Sequence, residues 1–230
     1  MAAAPLSINR PPPQTHTKAL NYSNLSNFSS IVYDAQRLSR TGDINTLSVD
    51  GREIKIFPDA GEYDGIPNIN YDLVPVSKYV KDGDVIRVVG NADQLSYTRF
   101  GMIKDNGNSY MVAQGRETLL TEMPVTGVAT YRGNAVIDGR GFSNITAGSA
   151  EFNVDFGNRD ISGTMSFIDS RSRPPIIVEL NNGTINGNDF SGTSSQGAEF
   201  KGSFHGPNAE ELGGVYRKQG EYDGAFGAKR

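Results

Sequence analysis

A chain of 230 residues with 26 acidic and 22 basic side chains can hold one large domain or two of about a hundred residues each. It has no cysteine, which excludes a disulfide framework, a thiolate metal site and a cysteine nucleophile. The slight acidic excess argues against nucleic acid or an anionic membrane as partner, and no apolar run approaches the ~20 residues a transmembrane helix needs.

Residues 1–18 are polar and proline-rich, with Pro11, Pro12 and Pro13 in a row, and read as a flexible tether. The start, Met1-Ala2-Ala3-Ala4, lacks the basic, apolar and cleavage regions of a secretory signal; it looks like an initiator joined to a mature tail. Residues 21–29 repeat Asn-Tyr-Ser, Asn-Leu-Ser and Asn-Phe-Ser, each a formal glycosylation acceptor. The same spacing sets Tyr22, Leu25 and Phe28 about one helical turn apart, so a short amphipathic helix is expected over Ser23–Leu38.

Thr46–Phe57 predicts a hairpin, two alternating runs around Asp50-Gly51, the pair that favours a tight primed turn. Residues 58–77 then form a loop too long for a mere connector, which biases it toward recognition. Strands are expected over Asp84–Gly90 and Leu95–Lys104, and a turn at Asp105–Asn108 leads into a third over 109–115. The first 122 residues contain 9 glycines and the rest 18, which puts a boundary near Thr121–Met123 and concentrates tight turns in the second half.

From Met123 onward, short alternating runs are cut by glycine: 128–136, 149–156, 161–168, 175–180, 183–190, 197–205, 212–218 and 222–230. Turn residues such as Asp138-Gly139, Asn182-Gly183 and Asn208-Ala209 bound them. Eight such runs with no helical pattern between them predict antiparallel strands closing a small barrel. A barrel of that size is filled by its own side chains and offers no ready active-site crevice.

The residues of catalysis are sparse. His16 and His205 are the two histidines, far apart in sequence, with no carboxylates at ligand spacing beside them, so a zinc or oxygenase-iron site is not expected. No Gly-x-Ser-x-Gly elbow occurs. Gly187–Gly192 has phosphate-loop glycine spacing, but Thr193-Ser194 follow where a lysine should stand, and a turn explains it better. Residues 181–189 faintly echo a calcium-binding nonapeptide, for which two hairpin corners are the simpler account. Glu210 and Glu211 are adjacent, so in a strand they point to opposite faces and do not act as an acid/base pair. The expectation is a protein that is not an enzyme. Tyrosine is the residue left over: Tyr63, Tyr71 and Tyr79 lie in or beside the long loop, and Tyr97 and Tyr110 on neighbouring strands. Tyrosine suits a binding surface, although a half-buried strand aromatic is the commoner role for the last two.

Several blocks make the chain recognisable: residues 97–102, 112–115, 121–136, 150–165 and 204–216, with the ending GAFGAKR. Within them, Met-Pro-x-x-Gly-x-Ala-x-Tyr from Met123 and Gly-Pro-Asn-Ala-Glu-Glu-Leu-Gly-Gly from Gly206 are specific. Over roughly residues 95–230 the chain resembles the handle-plus-barrel unit of transferrin-binding protein B. That unit also occurs in factor H binding protein, the haemoglobin receptor lipoprotein HpuA and the haem scavenger hemophilin. The resemblance implies a mainly β fold: a tether over 1–18, a β-rich ligand-binding handle with a short helix over 19–121, and an eight-stranded antiparallel barrel over 122–230.

The resemblance further implies a bacterial cell-surface or secreted protein, exported through a Slam-type outer-membrane translocator. The chain lacks the cysteine that anchors lipidated members, and it is too short for the two-lobed transferrin receptor, so single-lobe haem and haemoglobin binders are nearer in type. The expected cargo is haem, or a haem-carrying host protein, passed to an outer-membrane receptor. For haem, His16 is the histidine candidate outside the barrel, or else a tether residue without a role; tyrosine is the next plausible iron ligand. His205 falls in the barrel block and reads as structural. For a protein cargo, the loop 58–79, with Tyr63, Ile66, Ile69, Tyr71 and Tyr79, would be the contact surface. The alternative is another host molecule, such as a complement regulator or transferrin, or a colonisation factor on the same scaffold.

Overall fold

The computed structural model describes residues 17–21, 38–40, 43–49, 51–55, 78–82, 85–89, 95–105, 108–139, 146–168 and 175–230. Their regular structure is almost entirely strand. The amino-terminal part holds β1 (Thr17–Asn21), β2 (Leu38–Arg40), β3 (Thr46–Val49), β4 (Arg52–Lys55), β5 (Lys78–Asp82), β6 (Val85–Val89), β7 (Thr98–Asp105) and β8 (Asn108–Arg116). They form a five-stranded sheet in the order β1-β8-β7-β6-β5 and a three-stranded sheet, β2-β3-β4. The expected hairpin is there: Val49 pairs with Arg52 across Asp50-Gly51, and Gly51 takes φ +76°, as a primed turn requires.

Two expectations change here. Thr17 and Lys18, assigned to the tether, belong to β1, where they pair with Arg116 and Gly115 of β8. Five residues are too few to show an alternation in sequence, and β8 supplies the partner that fixes them. Tyr79, expected in or beside a loop, lies in β5 opposite Val88 of β6. The helix expected over Ser23–Leu38 lies outside the described residues except for Leu38, which opens β2.

The carboxy-terminal part is the predicted barrel: β9 (Val128–Gly139), β10 (Thr146–Asp155), β11 (Asp160–Phe167), β12 (Ile176–Asn186), β13 (Asp189–Thr193), β14 (Glu199–His205), β15 (Glu211–Lys218) and β16 (Tyr222–Lys229). All neighbours are antiparallel, and β16 pairs with β9 to close the ring. Closure leaves no strand edge to template aggregation.

Its interior is packed with rings. Phe152 and Phe226 lie 4.6 Å apart between centroids, and Phe190 and Phe204 5.4 Å apart. Many of the second-half glycines serve these rings rather than tight turns, which corrects the expectation drawn from composition. Phe152 faces Gly163, Phe190 faces Gly202, Phe226 faces Gly214 and Tyr216 faces Gly224, each as cross-strand partners. At every one of these glycines a methyl group would collide with the facing ring. A barrel this narrow holds so many aromatics by setting several of them opposite residues that have no side chain.

The strand count is right but one boundary is not. Asn182-Gly183, expected as a turn, sits inside β12 as a bulge: Ile161 pairs with Gly183 and Gly163 with Leu180, leaving Asn181 and Asn182 opposite Ser162. The chain reverses at Gly187-Asn188 instead, so the run 183–190 is a hairpin corner joining β12 to β13. Asparagine tolerates the left-handed φ of 62° found at Asn182, which serves a bulge as well as a turn. Asp138-Gly139 likewise lies within β9, paired with Asp223 and Tyr222.

Between the two parts, residues 117–127 cross one mouth of the barrel. Thr118 donates its N–H to Phe204 (2.9 Å) and its hydroxyl to the Gly206 carbonyl (2.7 Å). Asn188 donates to the Thr118 carbonyl (2.9 Å), Met123 packs on the barrel core, and Gly127 accepts from Phe156 (3.0 Å).

Candidate functional site

Barrel burial patterns show where the amino-terminal sheet sits. Strands β10, β11 and β12 alternate buried and exposed residues, as strands with one solvated face do. In contrast, β15 and β16 are buried continuously over most of their length. Their outward side chains, Val215 and Ala225, join Val136 of β9 in a second apolar cluster with Leu95, Phe100, Met102, Met111 and Ala113. Phe100 and Leu95 come so close to Gly227 that no larger residue fits there. The two parts are therefore joined by a core of their own.

A buried polar latch flanks that core. Glu211, 4% exposed, accepts from the backbone N–H groups of Ser96 (2.6 Å) and Tyr97 (2.9 Å), which lead into β7. Beside it, His205 is fully buried with Nδ1 2.8 Å from the Thr98 hydroxyl. A carboxylate bonded to two amides fixes the entry to β7 against the barrel wall. Nothing about a Glu-Glu pair in sequence announces this role; the partners lie 115 and 114 residues away.

Within the amino-terminal part, a second buried anchor holds the corner before β3. Gln114 of β8 donates to the carbonyls of Ile44 (2.5 Å) and Thr46 (2.7 Å). Arg99 of β7 reaches the same corner through Asn45 (2.8 Å) and also bonds the Leu95 (2.7 Å) and Thr98 (2.8 Å) carbonyls.

The tyrosine hydroxyls of the barrel interior are taken up by backbone carbonyls. Tyr131 donates to the Ala209 carbonyl (2.5 Å) and Tyr216 to the Val136 carbonyl (3.0 Å). Burial pushes both phenols well above the ordinary range, so they stay neutral and committed to structure. Among the described residues, no three His, Asp or Glu side chains converge as a metal site needs, and no helix is long and apolar enough to cross a membrane.

Of the site residues expected from sequence, His16, Tyr63, Ile66, Ile69 and Tyr71 lie outside the described residues. Tyr79 is placed, on the outermost strand of the five-stranded sheet. Tyr110 is buried and Tyr97 half-buried, with the Tyr97 ring against Gly206, so both serve packing.

Residues 123–230 match the family model of the C-lobe and N-lobe beta barrels of Tf-binding protein B. An uncharacterized protein of Haemophilus influenzae is 29% identical over 84% of this chain and 68% of its own length. Transferrin-binding protein B of the same organism is 26% identical over 86% of this chain but only 36% of its own length. Among solved structures, isotype 1 transferrin-binding protein B from serogroup B Neisseria meningitidis superposes with a TM-score of 0.65 at 24% identity. That match covers 93% of this chain and 43% of the other. The carboxy-terminal half is thus a barrel domain like those of transferrin-binding protein B, and the chain spans less than half of that protein's length.

Proposed function

We propose that this chain is a non-enzymatic binding protein of the bacterial surface, or released from it, that captures an iron-carrying host molecule. The observation that carries this reading is the division of labour between the two parts. The barrel spends its interior on aromatic packing and one flank on holding the amino-terminal sheet, which leaves that sheet and its loops to present the ligand surface. Export through a Slam-type translocator and delivery to an outer-membrane receptor complete the proposal.

Two cargoes are in play. Transferrin is favoured by the relatives of this chain that are transferrin-binding proteins. Haem, or a haem-carrying host protein, is the other; His16 would be the iron ligand, with Tyr63, Tyr71 or Tyr79 as oxygen alternatives. For a protein cargo, Tyr63, Ile66, Ile69 and Tyr71 would supply the contact.

One experiment with two arms decides between them. The full chain is immobilised and exposed to iron-loaded serum transferrin and to haemoglobin, and in parallel titrated with hemin. A saturable transferrin response with a featureless visible spectrum supports the first cargo. A sharp Soret band saturating at one equivalent, altered by His16→Ala, supports the second. Silence in every arm removes iron capture and leaves another host molecule, such as a complement regulator, as the ligand.

A further inference from the structure

The side of the barrel that the amino-terminal sheet leaves uncovered carries a shallow basin of about 630 Å³, spread over β9 to β12. The register explains it. One rung across the wall runs Thr130, Asn153, Ser162, and the next runs Val128, Asp155, Asp160, Thr184. These side chains are short, and the β12 bulge bends the wall beside Ser162. The rung above sets three longer groups, Arg132, Glu151 and Glu179, around Thr164, with Arg132 and Glu151 ion-paired at 2.9 Å. Depth therefore comes from residue size as well as from backbone shape.

The basin's bonding capacity is mostly unspent. Asp155 accepts from the backbone (2.9 Å) and side-chain (2.8 Å) N–H groups of Asn158, which hold its carboxyl below the usual range. Thr130 donates to Asn153 at 3.0 Å. Asp160, Ser162 and Thr184 make no side-chain hydrogen bond among the described residues. Among the described residues no basic side chain lines the basin; Arg159 stands outside, in the turn between the two aspartates. At the rim, Val128 is 80% exposed, and Val125, three residues earlier, 79%. Exposed aliphatic side chains beside free acceptors are the composition of an interaction surface rather than of an ordinary solvated wall.

We propose that this basin docks a protein partner presenting a lysine or arginine side chain next to an aliphatic one. The cation meets Asp160 and Asp155, the hydroxyls of Ser162 and Thr184 orient it, and the aliphatic neighbour packs on Val128. Anionic ligands are repelled by the two carboxylates, and among the described residues no ring lines the basin on which a sugar could stack. The contact extends capture to the barrel wall, and its test uses neither hemin nor transferrin, so it can fail without touching the cargo reading.

The test is an amide-resolved NMR titration of the ¹⁵N-labelled full chain with the peptide Lys-Val-Lys-Val-Lys, using Glu-Val-Glu-Val-Glu as control. Saturable shifts at Val128, Asp155, Asp160 and Thr184 with the first peptide alone are expected. Asp160→Asn should weaken the apparent affinity about fivefold, while Glu179→Gln, one rung away, leaves it unchanged. Shifts spread evenly over other exposed acids such as Glu179 and Glu221 would overturn the proposal. So would an affinity indifferent to Asp160→Asn.

Discussion

Where the barrel meets the amino-terminal sheet, its outward positions are Gly213, Val215, Ala225, Gly227 and Val136; across β10 to β12 they include Glu151, Asn153, Thr164 and Glu179. The inward positions of both regions are alike, apolar or glycine. One ring of strands thus carries two different exteriors, and the difference lies wholly in every second residue. The sheet's docking position is written in those alternate sites: a wall of small residues, whose buried Glu211 is bonded to the sheet's own amides, can be approached closely, and one set with exposed acids and amides cannot.

Substitutions can break that contrast, the strongest first. Glu211→Ala should cost roughly 3 kcal/mol, because it removes the buried carboxylate that accepts from the N–H groups of Ser96 and Tyr97. Urea unfolding would give the loss, and hydrogen exchange should quicken at those two amides. Gly227→Leu, which drives a side chain into Leu95 and Phe100, should cost roughly 2 kcal/mol. The matching Thr164→Leu on the open wall should change stability by less than about 0.5 kcal/mol; equal effects would mean that the two exteriors do not differ energetically.

Asp223 tests the edge of the covered face through pH. Burial pushes its carboxyl up to about 7, with Arg217 opposing and the facing Asp138 adding to the rise. A pKa raised in the folded state stabilises most below about 4, and that advantage is lost as pH climbs through 7. Asp223→Asn cannot ionise, so its stability relative to the parent should be higher at pH 8 than at pH 5, by roughly 1–2 kcal/mol. Paired urea curves at the two pH values check the sign. The smallest effect belongs to the exposed Arg132–Glu151 pair: Arg132→Ala should fall within about 0.5 kcal/mol and shrink further at high salt.

The barrel could be read from the chain because a period of two with glycine punctuation has few other solutions. Its errors share one cause, that glycine and asparagine have more than one use. Gly163, Gly202, Gly214 and Gly224 make room for rings, and Asn182 kinks a strand, yet in sequence both look like corners. The short strands β1, β2 and β5 were missed because three to five residues carry no measurable alternation. The latch escaped notice for a different reason: Glu211 and His205 acquire meaning only from Ser96, Tyr97 and Thr98, more than a hundred residues away. His205, expected to be structural, lies fully buried with Nδ1 2.8 Å from the Thr98 hydroxyl. Of the expected ligand residues, Tyr79 alone falls among the described ones, on a strand whose pairing follows from the hydrogen-bond ladder and not from its aromatic ring.

The final strand has an unusual double duty. Through Tyr222–Lys229 it zips the ring shut against β9, and through Ala225 and Gly227 it provides the bed for Leu95 and Phe100. Neither the cylinder nor the platform resting on it is complete without β16, so losing that one stave would open the ring and bare Leu95 and Phe100 together.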